Sequence, residues 1–127
     1  MKASADELLA LLPGKITPQW PDGERFIKAL AHGSMTVELY APRGTDPQAP
    51  HDQDELYFPI SGSATLRVGS ERQVARPGTV HFVAAGVDHR FEDFTADFAT
   101  WVVFWGPKGG EQQEERGAEA GTAGNAG

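Results

Sequence analysis

The chain reads as an all-β protein, an antiparallel sandwich or barrel with one short helix before it and a disordered tail after it. Three observations predict this. Between Glu24 and Pro107, apolar residues come in short alternating runs: Met35, Val37, Leu39 and Ala41 interleave with Thr36, Glu38 and Tyr40, the period of a half-buried strand. Glycine, proline, serine and aspartate punctuate the runs at short, even intervals, as in antiparallel β folds. Residues 108–127 carry no large apolar side chain, so burial cannot offset the entropy of ordering them.

The elements follow in order. Ser4 to Leu12 reads as a helix, with Ser4 and Glu7 spaced as a capping box and Pro13-Gly14 as the stop. Leu8, Leu9, Leu11 and Leu12 give it an apolar stripe that needs a docking surface. Strands are expected over 26–30, 35–41, 55–60, 64–68, 73–75, 79–83, 89–94 and 98–105, separated by turns such as Ser61-Gly62-Ser63 and Pro77-Gly78. Pro59 lacks a backbone donor, so its strand should lie at an edge or carry a bulge. The last strand is apolar on both faces. Phe98, Val102 and Phe104 oppose Ala99, Trp101, Val103 and Trp105. One face should line the interior, and the other needs a cover, either the helix or a second subunit. The organisation is then residues 1–22 as helix and arm, 23–107 as the β domain, and 108–127 as the tail.

The totals narrow the function. One domain of 127 residues can bury a core without staples. No cysteine is present, which excludes disulfides, thiolate metal sites and cysteine nucleophiles. A net charge of -7 without a basic stripe argues against nucleic acid. No run approaches the roughly 18 apolar residues that span a bilayer, and Asp6 and Glu7 precede the first apolar stretch, unlike a secretory leader. A cytoplasmic location without membrane association is the expectation.

His51, Glu55 and His89 are the candidate chemistry. Two imidazoles and one carboxylate suit a divalent transition metal with open positions. On a straight strand, residues four apart lie about 13 Å from each other, too far for one ion. A hairpin turning at Asp52-Gln53-Asp54 would bring His51 and Glu55 to about 5 Å between Cβ atoms, so a hairpin is expected there. The alternative is a polar rim, with Glu55 among acidic turn residues and His89 paired to Asp88 or Glu92. His81 reads either as a buried histidine satisfied by hydrogen bonds or as a group facing a ligand.

These spacings resemble those of the cupin superfamily. His51-x3-Glu55-x6-Gly62 matches the second half of its first motif, and Gly78-x5-Ala84-x-Gly86-x2-His89-x3-Asp93 has every spacing of its second. Four departures stand out. Ala49 replaces the first motif's leading histidine, Gly44 is one residue out of place, Ala84 replaces a proline and Asp93 an asparagine. The resemblance implies a double-stranded β-helix, the jelly-roll barrel, and a homodimer. It also implies one divalent metal (Fe, Mn, Ni or Zn) held by His51, Glu55 and His89, with Gln53 a candidate fourth ligand through its carbonyl oxygen. His81, Phe91 and Trp101 are the candidate pocket residues. Two functions compete. One is a dioxygenase-like or isomerase-like enzyme acting on a small organic molecule, and the other is a non-enzymatic module that binds a small ligand with or without metal. Arg67 and Arg90 are the only basic residues near the motifs that could serve an anionic substrate.

Overall fold

The computed structural model describes residues 1–112, so most of the tail expected to be disordered, residues 113–127, lies outside the described residues. All eight expected strands form: β1 (Phe26–His32), β2 (Met35–Tyr40), β3 (Asp54–Ser61), β4 (Ala64–Val68), β5 (Glu71–Ala75), β6 (His81–Val83), β7 (His89–Glu92) and β8 (Ala99–Trp105). They make two antiparallel sheets, one ordered β1-β2-β8-β3-β6 and the other β5-β4-β7.

Alternation along β8 decides what fills the space between the sheets. Val102 and Phe104 turn inward and join Tyr57, Leu66, Val83, Phe91 and Phe98 in the core. Phe91 packs at 4.8 Å between ring centroids on both Tyr57 and Phe98. A buried aromatic of this kind removes a large apolar area from water, worth about 1.5–3 kcal/mol per side chain. Trp101, Val103 and Trp105 turn the other way. Their cross-strand partners on β3 are Phe58, Leu56 and Asp54.

Pro59 carries the bulge expected of it. The β3–β8 register shifts between Pro59 and Ser61, and β3 pairs with β6 only over Glu55–Tyr57, before the missing donor is reached. The helix is shorter than expected. It spans Ala5–Leu9, and Ser4 makes no side-chain cap. It packs against β2, with Leu8 and Leu9 half-buried and Leu11 exposed. Such a short helix depends on docking, since an isolated turn or two is unstable in water.

A candidate metal centre between the sheets

The site joins both sheets. Glu55 is the second residue of β3 and points inward; His89 opens β7 in the opposite sheet. His51 reaches the same place from the loop before β3. No hairpin forms at 52–54, contrary to the expectation, because Asp54 already belongs to β3. The loop is instead pinned from outside. Gly86 N–H donates to the His51 carbonyl at 2.7 Å, and Gly109 N–H to the Asp52 carbonyl at 2.7 Å. Glycine at position 86 has φ +81, a conformation few other residues adopt.

One donor atom from each of His51, Glu55 and His89 lies within 4.8 Å of the others. The carboxylate straddles the rings, with Oε1 at 2.8 Å from His89 Nε2 and Oε2 at 3.7 Å from His51 Nε2. Glu55 and His89 are buried, while a third of the His51 side chain stays exposed. Access to the cluster is therefore from the His51 side. The Phe104 ring braces His51 edge-on at 4.8 Å.

Two atoms test whether this cluster fits a cation. Glu55 Oε2 and His89 Nε2 are buried without a hydrogen-bond partner among the described residues. The 2.8 Å separation of His89 Nε2 from Glu55 Oε1 lacks hydrogen-bond geometry, so it leaves Nε2 unpartnered. An orphaned buried polar group costs about 1–3 kcal/mol, more when charged, and a shared cation would satisfy both atoms. The imidazole is also set up as a ligand. His89 Nδ1 sits 2.9 Å from the Val87 carbonyl, which only accepts, so Nδ1 carries the proton and the Nε2 lone pair is free.

Charge follows the same logic. Burial pulls the His51 pKa down, against the opposing pull of Glu55, and keeps the ring neutral. For His89, burial also disfavours the cation, but the Glu55 carboxylate and the Val87 carbonyl together outweigh it and the pKa rises. Tyr57, two residues after Glu55 and so on the same face, donates to Glu55 Oε1 at 2.8 Å. Burial and the neighbouring carboxylate hold its pKa well up, so it stays a donor.

Comparison with known proteins identifies the family and the fold. The Cupin_2 cupin-domain family matches residues 36–105. The chain belongs to the cupin family. Its two sheets are the cupin jelly-roll barrel, as in a conserved barrel domain protein from Salinispora arenicola (18% identity, TM-score 0.54, covering 64% of this chain and 74% of that one). The TT1209 structure from Thermus thermophilus aligns over 83% of this cupin and 97% of its own chain, with TM-score 0.56 and 22% identity. In sequence, this cupin is 45% identical over 86 residues to the uncharacterized protein SCO3923 of Streptomyces coelicolor, covering 65% of this chain and 81% of that protein.

A cavity of about 730 Å³ opens beside His51, walled by Trp20, Phe26, Glu38, Tyr40 and Phe104 among others. None of the expected pocket residues His81, Phe91 and Trp101 lines it. His81 is buried and satisfied at both ring nitrogens, by Gln73 Oε1 at 2.6 Å and Thr79 Oγ1 at 2.8 Å. Phe91 fills the core. Trp101 lies on the outer face of its sheet, because β8 places Val102 and Phe104 inward. Gln53, the candidate fourth ligand, lies along the cavity wall. Its amide nitrogen donates to the carbonyls of Ser34 and Gly106, at 3.1 and 2.8 Å, tying the loop to the end of β8.

The sequence reading missed Trp20, which belongs to the N-terminal arm yet walls the cavity. It is buried edge-on against Phe26 and Tyr40. It also missed Tyr57, although the alternation of β3 puts residue 57 on the Glu55 face.

Proposed function

We propose that this cupin is a metal-dependent enzyme of the dioxygenase-like or isomerase-like kind. Its substrate would be a small neutral or cationic organic molecule bound in the cavity beside His51. One observation carries the reading: two buried donor atoms without a partner among the described residues, Glu55 Oε2 and His89 Nε2, converge with the partly exposed His51. A divalent Fe, Mn, Ni or Zn ion held by His51, Glu55 and His89 would supply Lewis-acid or redox chemistry there. The chain's own residues would do the rest. Tyr57 would orient the Glu55 carboxylate, Phe104 would fix the His51 ring, and the aromatic wall would exclude water from the substrate.

The lining supports the charge assignment. Glu24, Glu38 and Asp52 face the cavity, and no lysine or arginine does so among the described residues. Arg67 is engaged by Asp88 and Glu92, Arg90 is exposed, and Lys28, the β1 partner of Glu38, is also exposed. Apart from the ion itself, a phosphate or carboxylate substrate would meet only like charge along this wall. Aromatic faces such as those of Trp20 and Tyr40 favour a cationic or apolar group.

A second reading has one observation in its favour. His89 Nε2 lies 2.8 Å from Glu55 Oε1, so a protonated His89 would balance the carboxylate charge without any ion, which would make the cavity a binding module rather than a reaction chamber. Metal-loaded protein assayed against a panel of small amines and neutral diols, with oxygen uptake and product both followed, separates the two. The enzyme reading predicts turnover that disappears in Glu55→Ala. Ligand binding without turnover in any metal form, and unchanged in that variant, favours the module.

A further inference from the structure

We propose that Gln48 is a fourth donor to the cation, through its side-chain oxygen, and that Asp46 sets the orientation of that amide. The inference rests on the reading that the His51–Glu55–His89 cluster holds a metal.

Gln48 lies in the loop beside Ala49, where the family motif would place a histidine. Its Oε1 accepts from His51 Nε2–H at 3.2 Å and lies 3.3 Å from the Tyr57 hydroxyl, so ligation by Nε2 would place the His51 proton on Nδ1. Two donors bound at right angles, each about 2.1 Å from one metal, stand about 3 Å apart. The separations of Gln48 Oε1 from His51 Nε2 (3.2 Å) and of His89 Nε2 from Glu55 Oε1 (2.8 Å) are edges of that size. If His51 Nε2 ligates the ion, Gln48 Oε1 sits where the next ligand of the same ion belongs.

Which end of the amide faces the cluster is fixed by chemistry. Gln48 Nε2 donates to Asp46 Oδ2 at 2.7 Å. A carboxylate can only accept, so the amide cannot flip, and its oxygen is left toward the ligands. Asp46 is itself held. It is buried and accepts from the Tyr40 hydroxyl, from the Gln48 backbone N–H at 3.2 Å and from the Phe91 backbone N–H at 2.8 Å. The chain Tyr40–Asp46–Gln48 therefore runs from the cavity wall to the cluster. Gln53 has no comparable arrangement, because its amide nitrogen is committed to backbone carbonyls at the barrel rim.

The test is cobalt(II) binding by competition with a chelator, read together with the visible absorption of the bound ion, in the full chain. Gln48→Ala is expected to weaken binding roughly 10–100-fold, the range for groups lost from around a metal, and to shift the cobalt bands because a ligand has gone. The double variant Asp46→Asn/Gln48→Glu keeps an oxygen donor toward the cluster and reverses the 46–48 hydrogen bond rather than breaking it, and it is expected to bind at least as tightly as the native chain. Gln53→Ala is expected to change neither affinity nor spectrum. Native affinity and native bands in Gln48→Ala would overturn the proposal while leaving the three-residue centre intact. So would an Asp46→Asn/Gln48→Glu protein that binds as weakly as Gln48→Ala. A native chain that takes up no cobalt would overturn the metal reading itself.

Discussion

Glu38 is a residue whose charge the fold disfavours. It faces the cavity from β2, and burial is the main reason its carboxyl pKa rises above the ordinary value of 4.5, with Glu55 and Glu24 adding to the effect against Lys28. A raised folded-state pKa means that Glu38 favours the folded state below about pH 4.5, and that this contribution is lost as pH climbs through the folded value. Glu38→Gln removes the charge at every pH. It should raise the melting temperature by roughly 2–5 °C at pH 7 and leave it nearly unchanged at pH 4. Equal gains at both pH values would contradict the assignment. At this scale the sequence was informative where residue type and spacing carry the chemistry. His51, Glu55 and His89 could be picked out because few other roles require two imidazoles and a carboxylate at those intervals. Gln48 could not, since a glutamine in a proline-rich loop is ordinarily solvated, and its role depends on a buried aspartate two residues away.

At the level of elements, short apolar runs bounded by turn residues placed all eight strands to within two residues at their ends. The joints were harder. The loop at 51–53 is shaped by Gly86 and Gly109, which are distant in sequence, and local turn rules suggested a hairpin instead. The arm before β1 gave no periodic signal, so its role in walling the cavity was not legible. Gly62 is a joint that the spacing did mark. It holds φ +65, and a side chain there would press on Thr95 and come within 2.8 Å of the Phe98 backbone. Both features penalise any substitution. Gly62→Ala should cost about 1–3 kcal/mol, read as a lower midpoint in urea unfolding. A midpoint unchanged from the native chain would mean that the 61–63 turn and the 95–98 segment do not pack as described.

For the whole molecule, the five-stranded sheet is covered on one face by the core and only in part on the other. The helix packs against β2, but Phe58 and Phe82 remain 40% and 51% exposed, and Phe82 stacks toward Trp105 at 6.2 Å. Exposed aromatics grouped on one face mark interaction surfaces. We propose a second copy of the chain as their cover. Sedimentation at micromolar concentration should then give a dimer, and Phe82→Glu should shift it to monomer. A monomeric native chain would rule this out. The account as a whole depends on a cation shared by the two sheets. Metal analysis of the purified protein, run beside Glu55→Ala, tests this most directly. About one equivalent of a divalent transition metal in the native chain, lost in the variant while the fold persists by circular dichroism, is the predicted result. A native chain that holds no metal and binds none on addition, or a variant that keeps its full complement, would contradict it.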